Sequence, residues 1–190
     1  EKKTRSVTAS DFVYSLKRLL DPQLASPGGW VLQNVDCIET KNDEQLTITL
    51  KQPFPAFLGL LSMRYCSVIP KEIVSQEGED FRKNPIGTGP FAFKNWEEGV
   101  KLVLRRNPLY FELDNKGNTL PYLESIAITF VPDKQSEFML FLQGKLDFLN
   151  SLDNSYKDEL LTLEGKLSEK YLNKINIQKG PYLNTEYLGF

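Results

Sequence analysis

Histidine, the side chain most often used for acid–base chemistry near neutral pH, does not occur in this sequence of 190 residues. Neither a Ser-His-Asp nor a Cys-His arrangement can therefore be assembled from these residues. The two cysteines, Cys37 and Cys66, are far apart and lack the CxxC spacing of zinc and thiol redox sites. We expect both to be small buried apolar residues, with a disulfide between them as the alternative in an exported chain. The sequence predicts no catalytic residue, no metal ligand and no cofactor.

Clustered carboxylates are the remaining candidates for acid–base chemistry. Glu97 and Glu98 are adjacent, and a second group comprises Glu77, Glu79 and Asp80. Each group lies in a predicted polar turn beside other charged residues, so a solvated surface is the favoured interpretation. A carboxylate-based hydrolase stays as the alternative, which would need a second carboxyl group about 5 to 10 Å from the first.

Two loop motifs resemble nucleotide and calcium sites. Residues 87–92 formally match the GxGxxA dinucleotide pattern, but Pro90 and the alternating residues after it predict a strand rather than a helix. Residues 114–118 suggest a calcium loop, but Lys116 stands where an EF-hand would place an oxygen ligand. Both segments are therefore interpreted as turns.

Aromatic residues in loops and strands are the candidates for ligand binding. Trp30 follows Pro27-Gly28-Gly29 in a predicted loop, where a large aromatic ring can form a binding platform. Tyr182 lies just before a predicted strand that contains Asn184 and Tyr187, and aromatic faces beside an amide suit peptide or sugar ligands. The alternative is that these side chains pack against the domain that carries them.

The elements that must position these residues are short in the first part of the chain. Thr8 and Asp11 form a capping-box pattern, and Asp21-Pro22 stops the helix that begins there. Apolar alternation on both sides of a polar turn then predicts a hairpin. The predicted elements are a helix from residue 8 or 9 to about 20, a β-hairpin of residues 35–40 and 45–51, and short helices around 57–61 and 73–74.

Segment 84–90 separates the two parts of the chain. Its two prolines and two glycines exclude a continuous helix or strand and predict a crossover between domains. Beyond it, the patterns predict a hairpin of residues 91–96 and 100–105, a strand over 126–130, a helix from Asp133 to Gly144, a strand over 146–149, a helix over 155–171, and strands over 175–179 and 184–190. The fold class is therefore mixed α/β.

Charge and hydropathy narrow the possible partners. The formal net charge of −2 provides no basic field for nucleic acid or anionic lipid. No apolar run approaches the roughly 20 residues that a membrane span needs. No signal sequence leads into the first helix, and no turn or cap residue follows Phe190, so we expect truncation at both ends.

Ordered motifs along nearly the whole chain resemble one family. The first is Val7 to Leu19, followed by Asp21-Pro22 and Ala25-Ser26-Pro27. The others are residues 46–55 with Phe57-Leu58, 68–71, 84–91, 104–111, 120–123 and 142–148. In this order they resemble the extracellular solute-binding proteins of family five, which include the dipeptide and oligopeptide receptors of ABC importers.

This resemblance implies a periplasmic-binding-protein-like fold of type II, in the peptide-binding class, with incomplete lobes built from hairpins and mixed sheet. Residues 1–84 are expected to belong to the small additional lobe. Residues 85–190 are expected to belong to the first large lobe. The second large lobe, which completes the ligand cleft in the family, is expected to be absent from this chain.

The resemblance also implies a receptor that catalyses no reaction, closes around its solute and is then recognised by a membrane permease. Peptides are the expected solute; nickel chelates, haem and oligosaccharides are the alternatives within the family. Trp30 falls where relatives place an aromatic near the ligand, and Tyr182, Asn184 and Tyr187 fall in a strand segment that lines the cleft. The implied location is periplasmic or cell-surface, with a lipid anchor as one option. An interaction module without a small ligand is a further alternative.

Overall fold

The computed structural model describes residues 4–180, and the chain divides into two compact units at the boundary between Phe130 and Val131. Unit 1 comprises the described residues before this boundary, and unit 2 those after it. The predicted crossover, segment 84–90, lies within unit 1 and contains neither helix nor strand. The assignment of residues 1–84 and 85–190 to two lobes of the family stays a prediction.

Unit 1 contains three α-helices, two antiparallel sheets and three short 3-10 helices. The α-helices are α1 (Ala9–Leu19), α2 (Phe57–Leu61) and α3 (Lys71–Glu77). The strands are β1 (Val35–Asn42), β2 (Gln45–Leu50), β3 (Phe91–Glu97), β4 (Lys101–Arg106) and β5 (Ser125–Thr129). The 3-10 helices are Gly29–Leu32, Arg64–Cys66 and Gly78–Lys83. None of the helices formed by residues 4–180 combines the length and apolar character needed to cross a bilayer.

Helix α1 begins where the capping pattern predicts. The backbone N–H of Thr8 donates to the Asp11 carboxylate over 2.9 Å, which satisfies a donor that the first helical turn leaves free. The same carboxylate accepts two hydrogen bonds from the Arg5 guanidinium, at 2.7 and 2.8 Å. Arg5 also bonds Glu72 of α3, so one arginine ties the helix start to a second helix.

The β1–β2 hairpin and the helices around it enclose the core of unit 1. The two strands join through the turn Asp43-Glu44, whose geometry is supported by the Asn42 side chain accepting from the Glu44 N–H at 2.9 Å. The register pairs Ile38 with Ile48. The buried residues of this core are Leu16, Val31, Leu32, Val35, Ile38 and Phe57. The predicted hairpin, formed by β1 and β2, and the two predicted short helices, α2 and α3, are confirmed.

Strands β3, β4 and β5 form the second sheet in that order, with every pair antiparallel. Gly99 has a φ of +74° in the turn between β3 and β4, a conformation that glycine adopts without strain. Leu102 of β4 pairs with Ile128 of β5. The hairpin and the following strand lie where the alternation of apolar residues predicts them.

Unit 2 begins with helix α4 (Lys134–Leu142), which is capped as predicted. The Asp133 carboxylate accepts from the Ser136 N–H at 2.7 Å, and Gly144, with a φ of +70°, follows the end of the helix. Phe138 is 1% exposed, and its ring stacks on Tyr156 with 4.4 Å between the ring centroids. The core of unit 2 comprises Phe138, Leu160 and Tyr171.

The predicted helix over 155–171 is wrong. The structure has a 3-10 helix (Asn154–Tyr156), the single-turn helix α5 (Lys157–Leu160) and a second 3-10 helix (Glu169–Tyr171). Between α5 and the second 3-10 helix the chain reverses its direction. Leu161 pairs there with Leu167 in an antiparallel bridge, and Gly165 has a φ of +72°. The leucine spacing that imitates a helix thus comes from a tight turn, with Leu163 fully exposed at its tip.

Two predicted strands in unit 2 are also wrong, since residues 146–149 and 175–179 form no strand. Both segments show local apolar alternation but find no neighbouring strand with which to pair among the described residues. The predicted strand over 184–190 lies outside the described residues.

The cysteines are unpaired and half-buried, so the alternative of a disulfide is not realised. Burial raises the pKa of the Cys66 thiol, and its sulfur lies 3.7 Å from the carbonyl oxygen of Leu60. A hydrogen bond with Glu39 and desolvation raise the pKa of Cys37. Both thiols are thus held in the protonated form that is a poor nucleophile and metal ligand.

Candidate functional site

Trp30 stands on the surface of unit 1, held there by its buried neighbours. It belongs to the 3-10 helix Gly29–Leu32, in which Val31 and Leu32 are each 1% exposed. Trp30 itself is 47% exposed. The two buried residues anchor the short helix in the core and leave the indole accessible from solvent. An exposed tryptophan on an anchored backbone is suited to stacking on a ligand.

The two glycines before Trp30 allow the loop to approach the core closely. A Cβ added at Gly28 would lie 2.5 Å from Cγ of Tyr65, and one added at Gly29 would lie 2.9 Å from the carbonyl oxygen of Leu19. Both distances are shorter than real contacts, so a side chain at either position would displace the loop. The sequence Gly28-Gly29 therefore fixes where Trp30 is presented.

Local backbone hydrogen bonds hold the chain on both sides of Trp30. The backbone N–H of Gly29 donates to the carbonyl of Ser26 at 3.2 Å, and that of Gln33 donates to the carbonyl of Trp30 at 3.2 Å. Ala25 has a φ of +44°, in the left-handed region that residues other than glycine rarely adopt. The backbone around the loop is thus constrained rather than extended.

A pocket of about 390 Å³ opens beside this loop. Arg18 of α1 and Arg64 of the 3-10 helix Arg64–Cys66 line it, and the Arg64 guanidinium lies 5.8 Å from the centroid of the Tyr65 ring. The remaining lining residues are Ser15, Leu19, Leu24, Ser26, Pro27, Tyr65, Ser67 and Ile69. Arg18 and Arg64 are not among the predicted site residues, because residues from separate elements meet here only through tertiary packing.

Of the carboxylates considered for acid–base chemistry, Asp80 and Glu98 are exposed and Glu77 is half-buried. Glu98 forms an ion pair with Arg82 at 2.7 Å, and Glu77 accepts from the Asn84 side chain at 3.0 Å. Glu97 is exposed at the end of β3. The exposed carboxylates agree with the interpretation of a solvated surface. The predicted turns are wrong for the first group, since Glu77 ends α3 and Asp80 lies in the 3-10 helix Gly78–Lys83.

The loop with a calcium-like sequence uses its acidic side chain for internal hydrogen bonds. The Asp114 carboxylate accepts from the Tyr122 hydroxyl, from the Asn118 side chain, and from the backbone N–H groups of Lys116 and Asn118. The Tyr122 and Asn118 hydrogen bonds hold the pKa of Asp114 well below its usual range. The loop is therefore a self-contained turn, as predicted. Within residues 4–180, no cluster of three or more His, Cys, Asp or Glu residues could hold a metal ion.

The structure places only one of the four predicted site residues. Trp30 is exposed on unit 1, whereas Tyr182, Asn184 and Tyr187 lie outside the described residues. Whether the four side chains share a site therefore stays a prediction. Near Trp30 the structure adds the basic pocket, for which Arg64-Tyr65, a basic residue next to an aromatic one, was the available sequence signal.

Comparisons with known proteins agree on one family. The sequence profile of the bacterial extracellular solute-binding proteins, family 5 Middle, matches residues 4–190. The periplasmic oligopeptide-binding protein OppA of Salmonella typhimurium is 28% identical over 200 residues, which cover 95% of this chain and 34% of that protein. The chain thus spans about a third of the length of this relative.

Solved structures share the fold. The periplasmic binding protein DppA of Helicobacter pylori, in complex with the peptide STSA, matches with a TM-score of 0.73 and 22% identity, covering 83% of this chain and 33% of that chain. The binding protein MoaA of A. tumefaciens R10, in complex with mannopinic acid, matches with a TM-score of 0.71 and 29% identity, covering 84% and 31%. The predicted mixed α/β, periplasmic-binding-protein-like fold is confirmed, and the profile match over nearly the whole chain shows that it belongs to the bacterial extracellular solute-binding proteins of family 5.

Proposed function

We propose that the protein carrying this chain is the solute receptor of an ABC importer and that its solutes are dipeptides or oligopeptides. Membership of the solute-binding family carries the proposal. The sequence similarity to an oligopeptide-binding protein favours peptides as the solute. The exposed Trp30 on its glycine-anchored loop supplies an aromatic surface of the kind that recognises peptides.

The proposed mechanism is closure around the solute without covalent chemistry. The free energy of binding shifts the receptor from an open to a closed form, and a membrane permease then recognises the closed form. The receptor would act in the periplasm or at the cell surface, with a lipid anchor as one option. In this proposal no residue of the chain is catalytic, and no cofactor takes part.

A different solute within the same family is the alternative. The MoaA structure at 29% identity is a complex with mannopinic acid rather than with a peptide. This observation favours testing small organic acids beside peptides. Nickel chelates, haem and oligosaccharides complete the set of alternatives from the sequence.

We further propose that Trp30 contacts the solute, together with Tyr182, Asn184 and Tyr187 from the segment that follows the described residues. Residues 1–84 are proposed to be part of the small additional lobe, and residues 85–190 part of the first large lobe. The second large lobe would supply the opposite wall and most of the charges that hold the ends of a peptide.

Trp30 can be observed alone, because the chain contains only one other tryptophan, Trp96. The experiment uses the full natural chain with Trp96 and any further tryptophan replaced by phenylalanine. Adding a pool of di- to pentapeptides is then expected to shift the Trp30 emission to shorter wavelength. Iodide quenching should fall in parallel, since a ligand covers the ring. Replacing Trp30 by alanine should weaken peptide binding about tenfold, because an aromatic anchor contributes strongly to binding.

The matched control is Trp30→Phe, which keeps an aromatic face and removes the reporter. Its peptide affinity, measured by calorimetry, should stay closer to wild type than that of Trp30→Ala. If the Trp30 emission is unchanged by the pool and the alanine variant binds as tightly as wild type, then the role of Trp30 is wrong.

A further inference from the structure

The pocket beside the Trp30 loop carries an unusual balance of charge. Its two charged lining residues, Arg18 and Arg64, are both positive, and no Asp or Glu lines it. Among the described residues, neither arginine lies within 4.0 Å of a carboxylate oxygen, although the Arg5, Arg82 and Arg106 guanidinium groups do. Two guanidinium groups without an anionic partner raise the local positive potential.

The arginines are held in place by the elements that carry them. Arg18 is half-buried on the last turn of α1. Arg64 lies at the start of its 3-10 helix with its guanidinium over the Tyr65 ring, an arrangement that orients a planar cation. Gly28 packs against that same ring, so the loop and Arg64 share one support.

The rest of the pocket is suited to an organic group rather than to a bare inorganic ion. Leu19, Leu24, Pro27 and Ile69 supply apolar walls, and Ser26, Ser67 and Tyr65 supply hydroxyl groups. The volume of about 390 Å³ lies at the small end of the range for ligand pockets, which begins at about 300 Å³. A guanidinium pairs with a carboxylate through two parallel hydrogen bonds, so two arginines that line a pocket with apolar walls suit a carboxylate-bearing organic group.

We infer that this pocket binds the carboxylate-bearing end of a small organic solute through Arg18 and Arg64. That the bound group belongs to the transported solute rests on the proposed function; the anion preference of the pocket rests on its own lining residues. The solute is thus acidic or carboxylate-terminated, and its charged end lies on unit 1, close to the loop that presents Trp30.

The test uses benzoate, a planar carboxylate with an apolar ring, and benzamide, its neutral counterpart of similar shape. In the full natural chain, the arginine Nε–Hε NMR signals of Arg18 and Arg64 should shift during a benzoate titration and stay in place with benzamide. Arg64→Gln should weaken benzoate binding about fivefold, because a partly exposed charge pair contributes modestly. Arg64→Lys should retain more affinity than Arg64→Gln.

Arg105 provides the matched control, since it is an exposed arginine of β4 that does not line the pocket. Arg105→Gln should bind benzoate as wild type does, and higher salt should weaken binding to wild type. Equal binding of benzamide, or an equal loss in the Arg105 and Arg64 variants, would overturn the inference.

Two further outcomes separate this inference from the proposed function. If peptides bind but benzoate causes no shift at tens of millimolar, the pocket inference fails and the receptor proposal stands. If benzoate binds through Arg64 while neither peptides nor organic acids are retained by the full natural chain, the carboxylate preference stands and its assignment to a transported solute fails.

Discussion

Replacing Phe138 by alanine is expected to remove most of the stability of unit 2. Phe138 is its most buried large side chain, and the ring stacks on Tyr156. Truncating a buried phenylalanine costs about 3 to 5 kcal/mol, through lost apolar burial and the cavity that remains. A unit of about 60 residues buries comparatively little surface, so a loss of this size is comparable to its whole free energy of unfolding.

Hydrogen exchange measured by mass spectrometry is the suitable readout, because both tryptophans lie in unit 1 and do not report on this unit. Amides of α4 should exchange much faster in Phe138→Ala than in wild type. Met139→Ala is the control, since its side chain on the same helix is 38% exposed and its loss should cost less than about 1 kcal/mol. Equal protection of α4 in Phe138→Ala and wild type would contradict the assigned core.

Replacing Asp11 by alanine is expected to destabilise unit 1 by about 2 kcal/mol. The buried carboxylate caps α1 through the Thr8 N–H and accepts two hydrogen bonds from Arg5. Loss of a helix cap costs about 1 kcal/mol, and loss of the charge-assisted hydrogen bonds adds a similar amount. Denaturant unfolding followed by tryptophan emission measures this effect, since Trp30 and Trp96 both belong to unit 1.

The contribution of Asp11 should also depend on pH. The Arg5 guanidinium, followed by the Thr8 hydrogen bonds, holds the pKa of Asp11 below its usual value, whereas the unfolded chain has a pKa of about 3.9. The folded state therefore binds the proton more weakly than the unfolded state, and the stabilisation is fully present above pH 3.9. It is lost as the pH falls through the folded pKa.

The variant Asp11→Asn separates the charge from the capping oxygen. It should be less stable than wild type at pH 6, and the difference should shrink as the pH falls below about 4. Glu44→Gln, an exposed change in the hairpin turn, is the control and should be as stable as wild type at pH 6. A constant difference between Asp11→Asn and wild type from pH 6 to pH 2 would refute the proposed role of the charge.

The parts of the fold that could be predicted are those with local signals. Thr8 and Asp133 stand at the starts of helices α1 and α4, and Gly144 follows the end of α4. The signals that fix these helix ends involve only residues a few positions away. The β1–β2 hairpin likewise depends on a two-residue turn and on alternating burial. Backbone preference and burial agree in these segments, so the sequence pattern is sufficient.

The errors occur where local pattern and tertiary context disagree. Leu160, Leu163 and Leu167 have helical spacing, yet Gly165 reverses the chain and leaves Leu163 exposed. The basic pocket was missed for a related reason: Arg18 and Arg64 come from distant elements. Their proximity comes from the packing of α1 against the 3-10 helix Arg64–Cys66, which no pattern within a short window can indicate.

Whether the protein is a peptide receptor is tested by native mass spectrometry of the full natural chain, purified gently and then denatured to release whatever it carries. A peptide receptor should release a series of short-peptide masses, and the stripped protein should take up members of an added peptide pool. A single repeated non-peptide mass would contradict peptides as the solute and favour a dedicated receptor. Release of nothing, together with no mass shift from peptides or organic acids, would contradict the receptor proposal itself.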